Sequence, residues 1–316
     1  MIEKVNLKHI DKKCDFIADV VHDFYFNKDI NVFCSIDVLY NSGSYNIVGQ
    51  LHTESSSSLD ELKHNICMHA GTLNGTSSLS PSNIDISFSS FSSQSLYYLE
   101  NNMASDSCVS VGYACSGSSH QGLPMDVIMG NIINNYLQQE DGPTKLYADY
   151  TNNVLNIDVI SPSSHSFDDC LQTIQNFSSV GFETGSINFN LEDFSDEEEE
   201  HSNGMSGMKL QGDLYGSYCS TSSGPLSGRD IMQIDRLTTL ASRKLAKEIW
   251  EKNGKVNEVR VEMCYKKGES QPLYVKNIID GDSSYITGEN FSPNNLLEYI
   301  GGKTELSIYS NTSHIM

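Results

Sequence analysis

One pattern constrains the fold of this chain more than any other: helix, two strands, helix, written three times in succession. In the first copy, residues 15–27 carry an apolar stripe at helical spacing (Phe16, Ile17, Val20, Val21, Phe24). Strands at 31–40 and 45–53 and a helix over 58–70 follow. In the second, a strand at 107–115 leads into a proline-initiated helix ending near Gln139, strands at 144–150 and 153–160, and a helix near 167–178. The third runs from a helix over 234–253 through strands at 257–265 and 272–278 to a helix at 293–300. The pattern predicts an α+β fold of three similar βαβ-type subdomains. Their expected limits are 1–70, 71–203 (with an acidic loop at 192–200) and 204–316.

Composition narrows the function. With 316 residues and 38% hydrophobic content, a sizeable buried core is available. No apolar run approaches the ~20 residues of a membrane-spanning helix, and MIEKVNLKHIDKK has no signal-peptide core, so a cytoplasmic protein that does not bind membranes is expected. Eight cysteines without a CxxC pair suggest neither a zinc site nor a disulfide framework. The net charge of −21 argues against nucleic acid, whose phosphates need clustered Lys and Arg, and equally against easy capture of a triphosphate. Part of the imbalance is EDFSDEEEE at 192–200, read as a solvated loop or, more sharply, as a docking tail for a basic partner.

Residues 204–247, GMSGMKLQGDLYGSYCSTSSGPLSGRDIMQIDRLTTLASRKLAK, carry the most specific signal. In one register without a gap, Gly204, Gly207, Lys209, Asp213, Tyr215, Gly216, Ser227, Gly228, Asp230, Asp235, Arg236, Ala241 and Arg243 match the longest motif of the methionine adenosyltransferases, or S-adenosylmethionine synthetases. KKCDFIADVVHD at 12–23 resembles that family's GHPDKIADQISD. The strands VFCSIDV and VGQLHT resemble its VACET and GGEITT strands, and SDSCVSVGYAC at 105–115 resembles its GDQGLMFGYA. The resemblance implies three subdomains around a pseudo-threefold axis, and a homodimer or higher homo-oligomer paired through flat sheet faces. VFCSIDVLY suits such pairing, with Val32, Cys34, Ile36 and Val38 on one face and Phe33 and Leu39 on the other.

The same resemblance assigns roles, residue by residue. If the chain is active, Lys13, Lys209 and Arg229 would supply the cations around the leaving triphosphate of ATP. Gln50, Gln94, Asp106 and Asp213 would line the substrate site, and Asp15 and Asp235 would bind magnesium, with potassium as a further cofactor; no cofactor is certain otherwise. A duller account exists for each: Asp15 and Asp235 as helix-terminal carboxylates, Lys209 and Arg229 as partners of nearby acids. The departures are many. Phe16 stands where the family has a phosphate lysine, Met208 replaces an arginine, and Thr221, Ser222 and Ser223 replace a histidine and two glycines. Gln50 and Ser35 replace glutamates, and LSIYSNTSHIM stands in place of the family's AYGHFGR tail, whose contacts would be missing.

Three readings follow. The first is a non-catalytic homologue retained for its fold in a structural, self-assembling or partner-regulating role, with an active synthetase as one possible partner. The second is a divergent active methionine adenosyltransferase. The third is a binding protein for methionine, adenosine or S-adenosylmethionine. Loss of several independent phosphate ligands favours the first, since one preorganised contact is worth ~10²-fold in rate.

Overall fold

The computed structural model describes residues 1–70, 79–116, 122–178, 182–192, 202–221, 224–254 and 256–302. Along the chain run β1 (Ile2–Val5), α1 (Ile10–Phe26), β2 (Phe33–Asn41), β3 (Ser44–His52), α2 (Leu59–Ala70), β4 (Ile84–Ser89) and α3 (Ser93–Glu100). Next come β5 (Cys108–Cys115), α4 (Met125–Leu137), β6 (Lys145–Thr151), β7 (Val154–Ser161), α5 (Phe167–Ser178) and β8 (Glu183–Leu191). The last stretch holds β9 (Asn203–Met205), α6 (Leu210–Leu214), α7 (Ile234–Lys252), β10 (Glu258–Tyr265), β11 (Tyr274–Ile279), β12 (Asp282–Tyr285) and α8 (Pro293–Ile300).

These strands form three four-stranded sheets, ordered β4-β3-β2-β9, β1-β6-β7-β8 and β12-β11-β10-β5. The expected helix–strand–strand–helix units lie at the heart of each. In the first two, the strand after the second helix returns parallel to the hairpin (β4 on β3, β8 on β7), which completes a βαβ crossover. In the third, β12 instead continues antiparallel to β11.

The sheets do not follow the segments 1–70, 71–203 and 204–316 strand for strand. β1 joins the second sheet through β6, β9 joins the first through β2, and β5 joins the third through β10. Short or serine-rich edge strands such as IDISFS (β4) and ETGSINFNL (β8) bury few side chains, so their sequences carry too little apolar alternation to be seen. Helix α1 begins at Ile10, five residues before its apolar stripe, because Lys12 and Lys13 are buried and hide the pattern. Of the acidic loop 192–200 only Glu192 is described, and the segment 306–316 lies outside the described residues.

Packing follows from the apolar faces. Cys34, Ile36 and Val38 of β2 point inward and are fully buried with Ile17 and Val21 of α1 and Leu62 and Ile66 of α2, whereas Leu39 points out. β5 is buried on both faces. Val111, Tyr113 and Cys115 join the core of the second sheet, and Cys108 and Ala114 join that of the third. From the loop between α4 and β6, the buried Glu140 carboxylate reaches the β7–α5 turn and accepts hydrogen bonds from the Ser161, Ser163 and Ser166 hydroxyls and the Ser166 amide. These contacts hold it below the usual carboxylate range against the upward pull of burial.

Gly112 of β5 lies directly under α7. A Cβ there would overlap the Ser242 carbonyl and the Arg243 amide, both backbone groups of a helix that cannot shift singly. Gly112→Ala is therefore expected to cost at least about 3 kcal/mol, read as a lowered urea midpoint; an unchanged midpoint would show that helix and sheet can part without penalty.

Candidate functional site

The site is built on one helix and one long segment. Helix α1 is N-capped by His9, whose Nδ1 accepts the Asp11 amide at 3.3 Å. Burial pushes His9 down to about 4, so the ring is neutral and free to accept. From that start, Lys12, Asp15, Asp19 and His22 recur at the spacing of one helical face. All four are buried.

Facing them are residues 203–221 and 224–236. The Asp11 Oδ1 accepts the Met205 amide at 3.1 Å, Asp15 Oδ1 the Gly207 amide at 2.7 Å, and Asp19 Oδ1 the Gly228 amide at 2.9 Å. Lys12 Nζ sits 2.7 Å from Asp213 Oδ2 and 3.3 Å from Asp15 Oδ2. At the far end His22 Nε2 lies 3.6 Å from Asp230 Oδ2, an ion-pair distance, and Nδ1 is 3.0 Å from Asp23 Oδ1. Helix α1 thus orders the motif segment along its length, from Met205 beside Asp11 to Asp230 beside His22.

The electrostatics reflect burial against pairing. Asp15 is pushed up to about 6 by burial, with Lys12 pulling the other way and Asp213 adding to the rise. Lys12 is held above the usual lysine range because Asp213 and Asp15 outweigh its own desolvation. For His22, burial pulls downward, but Asp23 and Asp230 prevail and raise it from 6.5 to about 9, so it is a cation at neutral pH.

Arg229 is delivered to β2 by the backbone. The Ile36 amide donates to the Gly228 carbonyl at 2.9 Å and the Asp230 amide to the Cys34 carbonyl at 3.0 Å, an isolated antiparallel bridge. Gly228 has φ 71°, and a Cβ there would lie 2.5 Å from the Ile36 carbonyl oxygen, so the close approach requires glycine. The guanidinium then reaches the outer face of the sheet. Nη1 donates to Ser35 Oγ, and Nη2 to both Asp37 oxygens at 2.8 and 3.1 Å. Gln50 is the cross-strand partner of Ser35 and shares that face.

The other residues singled out from the sequence are scattered. Lys209 pairs with Glu3 at 2.7 Å and lies 3.9 Å from Asp11. Lys13 is buried on α1. Asp213 serves Lys12, and Gln94 donates to the Tyr98 hydroxyl at 2.6 Å within α3. Asp106 accepts the next amide, Ser107. Asp15 stands in the second turn of α1 rather than at its N-terminus, and Asp235 in the first turn of α7 near Cys108. Among the described residues, no group of three or more His, Cys, Asp or Glu side chains is arranged to hold a metal ion. An open groove of about 620 Å³ between the end of α1 and α2, lined by Phe24, Lys28, Glu61, His64 and Met68 among others, contains none of these residues.

Sequence reasoning missed Lys12, Asp19, His22 and Asp37. The first three were visible as a polar stripe with Asp15 at helical spacing. Asp37 was visible only as the residue two beyond Ser35 on a strand face.

Comparison with known proteins bears on the fold. Residues 198–309 match the family model for the S-adenosylmethionine synthetase C-terminal domain. The S-adenosylmethionine synthase of Petrotoga mobilis is 23% identical over 321 residues, covering 86% of this chain and 80% of that protein. Its counterpart in Helicobacter pylori strain 26695 is 23% identical over 327 residues, covering 91% and 82%. A solved structure described as an unusual S-adenosylmethionine synthetase from Campylobacter jejuni superposes with a TM-score of 0.71 at 18% identity, over 94% of this chain and 87% of that one. The fold is that of the S-adenosylmethionine synthetases, and the chain is a divergent homologue of them.

Two outcomes test the site. Lys12→Met leaves two buried carboxylates without their cation and is expected to cost about 3–5 kcal/mol, whereas Lys209→Met, in a partly exposed pair, should cost about 0–1 kcal/mol; equal urea midpoints would contradict the assignment. For His22, the folded-state value lies above the unfolded one. Its stabilisation is therefore complete below pH 6.5 and lost as pH rises through about 9. The stability gap between the wild type and His22→Asn should narrow across that window by on the order of 1–3 kcal/mol, followed by denaturation at stepped pH.

Proposed function

We propose that this chain is a non-catalytic homologue of methionine adenosyltransferase, kept for its fold, that acts as a self-associating structural or partner-regulating protein. One observation carries the reading: two of the three cations that the family would turn toward a triphosphate are paired with the chain's own carboxylates. Lys209 is paired with Glu3 and Arg229 with Asp37. Phe16, at the position of a phosphate lysine, is buried in the core of the first sheet. A polyanion would have to displace these partners on a protein of net charge −21.

Self-association is supported by the outer face of the first sheet. Leu39 and Met205, cross-strand partners, and Val48 on β3 are all partly exposed there. The mass in solution is expected to be at least twice the 35.0 kDa of one chain. Eight thiols with no disulfide among them suit a reducing, cytoplasmic setting, and no helix of the described residues is long and apolar enough to cross a membrane. An active synthetase is a further candidate partner for this face.

The divergent-enzyme reading has one observation in its favour: Glu3 and Asp37 are each 40% exposed, so both pairs can open to solvent. Purified oligomer incubated with ATP, methionine, magnesium and potassium is expected to give neither S-adenosylmethionine nor phosphate above a no-protein control. Turnover abolished by Lys209→Met or Arg229→Met would establish the enzyme instead; tight binding of S-adenosylmethionine without turnover would favour the binding-protein reading.

A further inference from the structure

The pairing around Arg229 identifies a residue that sets what the site accepts. Arg229 is not free to choose its partner, because the bridge to Ser35 and the Gly228 approach fix its backbone against β2. Its side chain is only 15% exposed, and both Nη atoms are engaged on the outer face of the sheet, Nη1 by Ser35 and Nη2 by Asp37. Asp37, by contrast, is 40% exposed. A guanidinium matches carboxylate and phosphate oxygens with the same planar fork, so a carboxylate held in place competes directly with any phosphate from solution. Ser35 and Gln50 beside it add neutral groups and no charge.

We propose that Asp37 is the specificity-determining residue of this face, a built-in carboxylate that occupies Arg229 and bars polyphosphate anions, so that removing its charge opens an anion site on Arg229. The proposal deepens the reading above and rests on it, because it names the group that keeps this cation neutralised. Its test is one of binding and is independent of turnover. A wild type that makes S-adenosylmethionine would overturn the pseudoenzyme reading and leave the Asp37 measurement to be judged separately.

The probe is inorganic tripolyphosphate, titrated calorimetrically at low salt into the full chain. Asp37→Asn keeps the shape and removes the charge, and Asp37→Ser removes both charge and length, so either folded variant reads the outcome. Relative to the wild type, both are expected to bind about tenfold more tightly or better, which corresponds to about 1.4 kcal/mol. The gain should fall with added salt and vanish when Arg229→Met is combined with Asp37→Ser. Equal affinity in wild type and variants, absence of binding throughout, or a gain that survives the loss of Arg229 would each overturn the proposal.

Discussion

The buried polar face of α1 is the interaction on which the rest depends. A helix with Lys12, Asp15, Asp19 and His22 on one side cannot bury that side against apolar residues, because each unpaired charge would cost several kcal/mol. The segment 203–236 supplies the missing partners: backbone amides of Gly207 and Gly228, the Asp213 carboxylate that pairs Lys12, and Asp230 opposite His22. The opposite side of α1, with Ile17 and Val21, packs on β2. Two glycines are thereby fixed as hydrogen-bond donors, and the residues that follow them, Lys209 and Arg229, are carried to defined places. The glycines' anchors on α1, Asp15 and Asp19, are about 6 Å apart along the helix axis.

From that scaffold comes a site whose charges close on themselves. A catalytic site for a polyanion needs cations held ready and unsatisfied, since the stabilisation is realised only when charge develops on the ligand. Here the scaffold still delivers cations to the region, yet carboxylates from β1 and β2 meet them first: Glu3 for Lys209 and Asp37 for Arg229. Hydrogen bonds donated by backbone amides to the α1 carboxylates preserve the architecture, whatever the side chains at Lys209 and Arg229 do.

Legibility varied with the kind of interaction. Helices α2, α4, α5, α7 and α8 and the hairpins β2–β3, β6–β7 and β10–β11 were evident because their apolar residues recur with the period of the element that buries them. The edge strands β4 and β8 were not, since mostly exposed strands leave no such trace. The start of α1 was misplaced for the opposite reason: buried lysines read as surface. Among site residues, Lys209, Arg229, Asp213 and Asp15 were picked out by motifs in register, and Lys12 lay in a polar stripe with Asp15, while Glu3 and Asp37 lie far from Lys209 and Arg229 in sequence and belong to no pattern.

The sequence by itself determined the repeated α+β units and the family resemblance, because periodicity and motif register are local properties of a chain. Only the tertiary structure decided which strands share a sheet, that Asp15 and Asp19 hold backbone amides, and that Lys209 and Arg229 are neutralised. Pairing of charges is set by distances between segments nearly two hundred residues or more apart, as between Arg229 and Asp37, and no local pattern encodes such a distance.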